Sequence, residues 1–304
     1  MPLVSVVIVS FHSRDELGPC IESLERHRGS VRTEIIVVDN ASHDGTVEWL
    51  DSAHPDVRVI VNPDNAGFTR GVNQGLAAAR GDALFLLNPD CEIRPGALEL
   101  LLAALKAEPS LALSAPALVD DRGHIARSCG RFPSIWSLVT DHFGLAGAFP
   151  NTRIFGGYKY GGEDMNSLGR VGWASGAALM ITRAALERLG GLDEGIFMYM
   201  EEVDWCHRAA QVGLGVRYVP TATVMHTGQR SSQRAPRLSY LHNLRSRVYY
   251  FRKHHGPLAA LAVKVILYSS LALKWLLIRL SPQRHEAAAI YAAGLQAVWL
   301  ATWR

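Results

Sequence analysis

The chain predicts an α/β protein, a mixed, mainly parallel sheet with helices on both faces, followed by a C-terminal amphipathic helical tail. Three observations carry this expectation. Short β-branched runs alternate with helix-like segments over the first 120 residues, and that alternation builds parallel sheets covered on both faces. The apolar run Ala83-Leu84-Phe85-Leu86-Leu87 stops abruptly in Asn88-Pro89-Asp90. A buried strand that ends this way delivers a carboxylate to the sheet's carboxyl edge, where open α/β sheets bind ligands. The charge is also divided: residues 1–225 carry 19 Lys+Arg against 27 Asp+Glu, and residues 226–304 carry 12 against 1. An acidic body followed by a basic, apolar tail suits a domain resting on an anionic membrane surface.

The elements follow in order. Val4 to Ser10 is rich in β-branched residues and reads as the first strand. Asp15 to His27 reads as a helix with Ser13 as its cap. Glu34 to Asp39 and Val57 to Val61 are the second and third strands. Phe68 to Arg80 is a helix, Ala83 to Leu87 the fourth strand, and Pro95 to Ala107 a helix with proline at an early position. Leu111 to Val119 is a further strand. Ser128 to Val171, rich in Gly, Pro and aromatics, reads as long loops. Val171 to Thr182 returns to strand character, Met198 to Val212 reads as a helix, and Val216 to Val219 as a short strand.

The tail reads as helices over Leu238 to His255, Pro257 to Leu280 and Ala287 to Ala301. The middle one is long enough to span a bilayer, which takes about 20 residues. Lys264, Lys274 and Arg279 interrupt it and fall within one fan of ~140°. A basic stripe on an apolar helix suits one lying in the membrane interface, with Trp299 and Trp303 at interfacial depth. A pair of helices packed on the main domain is the competing reading, and an apolar tail also allows a homodimer. The domains expected are therefore residues 1–228, a catalytic domain, and residues 229–304, the tail. Nucleic acid is not an expected partner, because the tail's cations are interleaved with Leu, Ile, Val and Ala rather than with stacking aromatics. The four cysteines form no CxxC and read as reduced cytosolic thiols. The opening apolar run is too short for a signal peptide. The expected location is cytoplasmic, peripheral on the inner face of the membrane.

Several residues have the chemistry of a site. Asp90 at a strand end can hold Mg2+ or Mn2+, with Asn88 helping directly or through water; Asn-Pro-Asp is also a common turn. Asp39 ends the second strand and can accept the imide N–H of uracil or thymine, accept from ribose hydroxyls, or cap a turn. Ser10-Phe11-His12-Ser13-Arg14 follows the first strand without the glycines of a dinucleotide fold, which excludes a nicotinamide or flavin dehydrogenase. Gly67, Gly71 and Gly75 are four apart at a helix start and allow close approach of a ligand or of the neighbouring strand. Glu202 is the candidate general base for a sugar hydroxyl. Glu201, Glu202 and Asp204 cannot all face one site, and Asp204 is placed to pair with Arg208 four residues on. His226 reads as a metal ligand, a phosphate contact or a surface histidine.

Together these segments resemble inverting nucleotide-sugar glycosyltransferases of family 2, with the GT-A fold. The resemblance covers residues 3 to 228. It rests on Asp39-Asn40-x-Ser42-x-Asp44-Gly45-Thr46, Asn65-x-Gly67-Phe68-x-x-Gly71-x-Asn73-x-Gly75, Asn88-Pro89-Asp90, Gly190-Gly191-Leu192-Asp193-Glu194 and Phe197-Met198-Tyr199-Met200-Glu201-Glu202-Val203-Asp204, in the family's order, with His226 following. Asn-Pro-Asp in place of Asp-x-Asp, with Val171-Gly172-Trp173-x-Ser175-Gly176 and Arg131-Phe132-Pro133-Ser134, looks like the rhamnosyltransferase branch. The resemblance implies that Asp39 reads the base and that Asp90 and His226 meet a divalent metal and the diphosphate. It implies Glu202 as the base and donor contacts at Ser10, His12, Asn65, Gly67, Phe68, Gly71, Asn73 and Asn88. Trp173, Ser175, Gly176, Glu201, Asp204 and Arg208 would contact the acceptor or support the site. Two departures stand out: the acidic pair is Glu201-Glu202 where Glu-Asp is usual, and strand one ends in Ser-Phe-His where Thr-Tyr-Asn is common. The implied donor is a dTDP- or UDP-sugar, with dTDP-rhamnose first. The implied acceptor is a polyprenyl-diphosphate-linked sugar or polysaccharide of cell-surface glycan assembly. The competing readings are a UDP-hexose transferase with a soluble acceptor and a non-catalytic nucleotide-sugar-binding membrane subunit.

Overall fold

The computed structural model describes residues 2–227, 236–279 and 285–301. Leu280, assigned above to a tail helix, Trp303, expected at interfacial depth, the 228/229 boundary and the side chain of Arg279 lie outside the described residues. By contact density the chain divides into two units. The first comprises residues 1–132, 163–194 and 201–233, and the second 133–162, 195–200 and 234–304. The second unit thus takes in, besides the tail, the Gly- and aromatic-rich stretch and a short segment before Glu201.

The first unit is built on a nine-stranded sheet. Its first four strands are β1 (Leu3–Ser10), β2 (Arg32–Asp39), β3 (Arg58–Val61) and β4 (Ala83–Leu87). They lie parallel, in the order β3-β2-β1-β4. β10 (Ala178–Thr182) runs antiparallel between β4 and β6 (Leu111–Val119). β11 (Gly215–His226) is parallel to β6 and antiparallel to β5 (Cys91–Ile93), and β8 (Arg170–Val171) pairs with β11. β7 (Cys129–Gly130) and β9 (Trp173–Ala174) form a separate pair. Following these directions, Ser10, Asp39, Leu87, Val119 and His226 all arrive at one edge. All five residues of β4 are buried, as a central strand covered on both faces requires.

Helices α1 (Arg14–His27), α2 (Thr46–Ala53), α3 (Phe68–Ala78), α4 (Ala97–Ala107), α7 (Arg183–Leu189) and α8 (Glu201–Gln211) belong to this unit. α3 shows why its glycines are there. A Cβ on Gly71 would lie 2.9 Å from Val9 Cγ1, and one on Gly75 2.3 Å from Val7 Cγ1. Both glycines let the helix lie close on β1. Four expectations change. α4 starts at Ala97, because the left-handed Gly96 (φ 79°) is its N-cap and leaves Pro95 outside the helix. Val171–Thr182 is not one strand but β8, β9 and β10. α2 and α7, only eight and seven residues long, were not expected. β11 is twelve residues rather than four: Pro220 removes a ladder donor, the register shifts between Val219 and Thr223, and pairing then resumes.

In the second unit the stretch read as loops contains α5 (Ile135–His142), opened by a reciprocal capping box between Ser134 and Ser137, and the one-turn α6 (Leu145–Ala148). α9 (Pro236–Arg279) is broken at Gly256 (φ 85°), which agrees with two helices meeting before Pro257. α10 (His285–Leu300) packs along α9. Lys264 Nζ donates to the Ala301 carbonyl at 2.6 Å, so this lysine is turned onto α10 instead of joining an outward basic stripe with Lys274. The outward face is apolar: Leu258, Leu261, Val265, Tyr268 and Leu276 are exposed and fall within one sector of ~80°. An 18-residue window here has a mean hydropathy of 1.8, apolar enough to cross a membrane, and only 22% of it is buried.

Candidate active site

Ser10 and Asp39 are register partners at the ends of β1 and β2, and both are fully buried. Asp39 Oδ2 accepts from the Ser42 N–H at 2.8 Å, while Asp39 Oδ1 and Ser10 Oγ are buried without a hydrogen-bond partner. Beyond them the chain is strained: His12 (φ 51°) and Ala41 (φ 59°) are non-glycine residues in the left-handed region. His12 donates its N–H to Ser42 Oγ at 2.9 Å, and its Nδ1 accepts from the His43 N–H at 3.3 Å. The two strand-end loops are therefore tied to each other.

Asp90 follows β4. Its carbonyl accepts from the Thr227 N–H at 3.1 Å and from Thr227 Oγ1 at 3.2 Å, which fixes this turn against the end of β11. His226 Nε2 stands 3.3 Å from Asp90 Oδ1, but the nitrogen is buried and its geometry makes no hydrogen bond. A carboxylate oxygen and an imidazole nitrogen 3.3 Å apart, an ion pair when the histidine is protonated, could also share a Mn2+ or Mg2+. Cys91, which sequence reasoning missed, offers its Sγ within the same 4.8 Å cluster. Its adjacency to Asp90 was a signal, but only the pairing of β5 with β11 brings it beside His226. Burial first, then the charge of Asp90, pushes the Cys91 thiol up. Asn88 is held by its backbone, its N–H donating to the Ala177 carbonyl at 2.8 Å.

Glu202 lies on the first turn of α8. A Cβ on Gly176 would sit 3.5 Å from Glu202 Cβ and 3.9 Å from the Phe68 ring. The Asn88–Ala177 bond thus leads, one residue back along the chain, to the place where Gly176, Phe68 and Glu202 meet. Burial first, and then the Glu202 charge, pushes the Glu201 carboxyl well above the usual carboxylate range. Glu201 Oε2 is buried without a hydrogen-bond partner. The helix is entered through two more left-handed residues, Tyr199 (φ 64°) and Met200 (φ 70°).

Other expected site residues form a brace. Asn73 donates to the Leu192 carbonyl (2.9 Å) and to Glu194 (3.1 Å), and accepts from the Leu192 N–H (2.8 Å). Its amide is committed to the 190–194 loop rather than presented to a donor. Arg208 donates to Asp204 (2.9 Å), to the Leu189 carbonyl (2.6 Å) and to the Gly191 carbonyl (2.7 Å). Asn65 Oδ1 accepts from the Gly67 N–H at 3.0 Å and shapes the turn into α3. Gly71 is explained by its closeness to Val9. Trp173 is buried in β9, and Ser175 Oγ accepts from the Ala177 N–H at 3.3 Å. The carboxyl edge of the sheet and the loops beyond it therefore carry Ser10, His12, Asp39, Asp90, His226 and Glu202, with Asn73, Asp204 and Arg208 bracing the 190–194 loop.

Fold and site together define a glycosyltransferase of the GT-A fold. The chain belongs to glycosyl transferase family 2, whose sequence profile matches residues 5–159. It is 29% identical over 299 residues to the N-acetylglucosaminyl-diphospho-decaprenol L-rhamnosyltransferase of Mycobacterium tuberculosis, covering 93% of this chain and 95% of that protein. It is 25% identical over 227 residues to the low-salt glycan biosynthesis hexosyltransferase Agl10 of Haloferax volcanii, covering 73% of this chain and 66% of the relative. Among solved structures, S. aureus TarS 1-349 matches 99% of this chain and 81% of its own length, with a TM-score of 0.55 at 14% identity. GalNAc-T7 with UDP, GalNAc and Mn2+ matches 74% of this chain and 43% of its own, with a TM-score of 0.55 at 18% identity.

Proposed function

We propose that the chain transfers a sugar with inversion, rhamnose from dTDP-rhamnose, to a hydroxyl of a polyprenyl-diphosphate-linked acceptor in cell-surface glycan assembly. The similarity to an L-rhamnosyltransferase over nearly the whole length of both chains supports the substrates. The single observation supporting the site is the convergence of Asp90 Oδ1 and His226 Nε2, 3.3 Å apart, at the edge reached by Asp39 and Ser10.

In this reading Asp39 Oδ1 accepts the imide N–H of the base, and Ser10 Oγ bonds it or the ribose. Asp90 and His226 hold a divalent metal, which when bound neutralises charge developing on the leaving diphosphate. Glu202 accepts the proton of the acceptor hydroxyl as that oxygen attacks the anomeric carbon from the face opposite the diphosphate. Glu201, pushed toward its protonated form by burial and by Glu202, adds little competing negative charge. The Asn73 and Arg208 brace holds α8, and with it Glu202, in place.

Calorimetric binding of dTDP, UDP and GDP, with and without Mn2+, to the intact protein and to Asp90→Ala tests this reading. Metal-dependent binding of dTDP that the substitution weakens is the expected result. No nucleotide binding by folded protein would remove the donor site.

The tail is assigned to an anionic membrane surface, peripheral on its cytoplasmic face. The exposed apolar sector of α9 supports this, with Arg237, Arg245 and Lys253 exposed on the half before Gly256. Vesicle flotation should show binding to anionic vesicles that Leu261→Asp with Val265→Asp abolishes. A concentration-dependent dimer with no vesicle binding would assign that face to a second copy instead.

A further inference from the structure

We propose that Cys91 is a third, soft ligand at the Asp90–His226 site, so that thiophilic divalent ions such as Cd2+ and Zn2+ lodge there more tightly than Mg2+ or Mn2+ and block it. This rests on the reading of Asp90 and His226 as cation ligands. Cys91 and His226 are opposed residues in the antiparallel β5–β11 pair, and opposed residues project from the same face of a sheet. The Cys91 sulfur, an Asp90 oxygen and a His226 ring nitrogen lie within 4.8 Å of one another. Donors bound to one zinc sit about 2.0–2.3 Å from it, so small side-chain rotations close these three around a single ion. In hydrogen bonding the sulfur gives up only a 3.5 Å contact to the Ala177 carbonyl. An O, N, S set suits borderline and soft ions, whereas Mg2+ takes oxygen and leaves the thiol aside. On binding, the S–H bond breaks, a sulfur–metal bond forms and the proton passes to solvent. The donor's diphosphate or water fills the remaining positions.

The other thiols provide the controls. Cys20 bonds the Asn88 carbonyl at 3.6 Å and, like Cys129 and Cys206, is not in the ligand cluster.

The test uses the full chain with dTDP present. Mn2+ binding is followed by electron paramagnetic resonance, and Cd2+ binding by its ultraviolet thiolate charge-transfer band and by displacement of Mn2+. In the unsubstituted protein one equivalent of Cd2+ should give the band, displace Mn2+ and bind at least about tenfold more tightly than Mn2+. Cys91→Ser should keep Mn2+ binding, lose the band and lose that advantage, whereas Cys20→Ser should behave as the parent. A band that survives in Cys91→Ser, or no band in the parent while Mn2+ binds, overturns the proposal. Failure of Mn2+ to bind the parent would count against the cation reading of Asp90 and His226. The Cd2+ band and its loss in Cys91→Ser would then still decide the role of the cysteine.

Discussion

Ser10 and Asp39 face each other as the last paired residues of β1 and β2, fully buried, with Ser10 Oγ and Asp39 Oδ1 lacking hydrogen-bond partners. A buried polar atom left unsatisfied costs about 1–3 kcal/mol. Two such atoms side by side at the carboxyl edge are best explained by a ligand that satisfies them. The left-handed backbone at His12 and Ala41 directly beyond them is the kind of strain that persists where function requires it.

Asp39→Asn should therefore lower affinity for dTDP and UDP by about 10- to 100-fold. The Asn oxygen can still accept from the Ser42 N–H, but an N–H2 then points at the base's own N–H. Titration calorimetry reads the affinity, and a thermal melt checks that the fold persists. Unchanged affinity would remove Asp39 from base recognition.

Glu202→Gln should reduce turnover by about 10^2- to 10^4-fold while donor affinity stays the same. Glu201→Gln should lose far less, because burial and the neighbouring charge already favour the neutral form of that carboxyl. Steady-state rates on the two variants, with donor binding measured alongside, separate these roles. Equal losses would mean that the carboxylates act as a unit.

Gly75→Ala should destabilise the first unit by about 1–3 kcal/mol through overpacking, since the added carbon would lie 2.3 Å from Val7 Cγ1. Combining it with Val7→Ala should recover part of that loss. Urea denaturation of the two single variants and the double variant measures the coupling.

Arg208→Ala should cost on the order of 3 kcal/mol, because it removes a cationic partner of the buried Asp204 carboxylate and the donor to the Leu189 and Gly191 carbonyls. Activity should fall as well, because the loop that braces α8 loosens. Denaturation and rate measurements read the two effects, and a variant as stable as the parent would deny the brace.

His142, buried in α5, has its pKa lowered to about 4, by burial first and then by the Arg247 charge. In the unfolded chain a histidine titrates near 6.5, so between these values the unfolded state binds more protons. Stability is then full above about 6.5 and falls as pH drops toward about 4, by at most about 1.4 kcal/mol per pH unit. His142→Gln should flatten that slope, as read from unfolding free energies at several pH values. An unchanged slope would place the acid sensitivity elsewhere.

Much of this was legible in the sequence because it is local. The β-branched run to Ser10, the apolar run before Asn88 and the end of the second strand at Asp39 locate three sheet-edge groups through strand periodicity alone. Asn73 could not be placed that way, and of Arg208 only the pairing with Asp204 four residues back was legible. The partners of Asn73 lie up to 121 residues away and the carbonyls that Arg208 holds up to 19, and an amide or guanidinium that braces a loop looks in sequence like one that binds a ligand. The length of β11 was hidden by Pro220, and α5 by the glycines and aromatics around it.

The sequence by itself determined the layered α/β architecture, the carboxylates at strand ends and the break at Gly256, because periodicity, turn chemistry and left-handed glycines act over a few residues. Only the tertiary structure decided which of these groups meet. Pairing of β11 with β5 sets His226 and Cys91 beside Asp90, the reversal of β10 carries Gly176 to Glu202, and packing of α10 turns Lys264 inward. Each of these depends on contacts between residues far apart in the chain, set by strand register and by burial, and no local pattern encodes them.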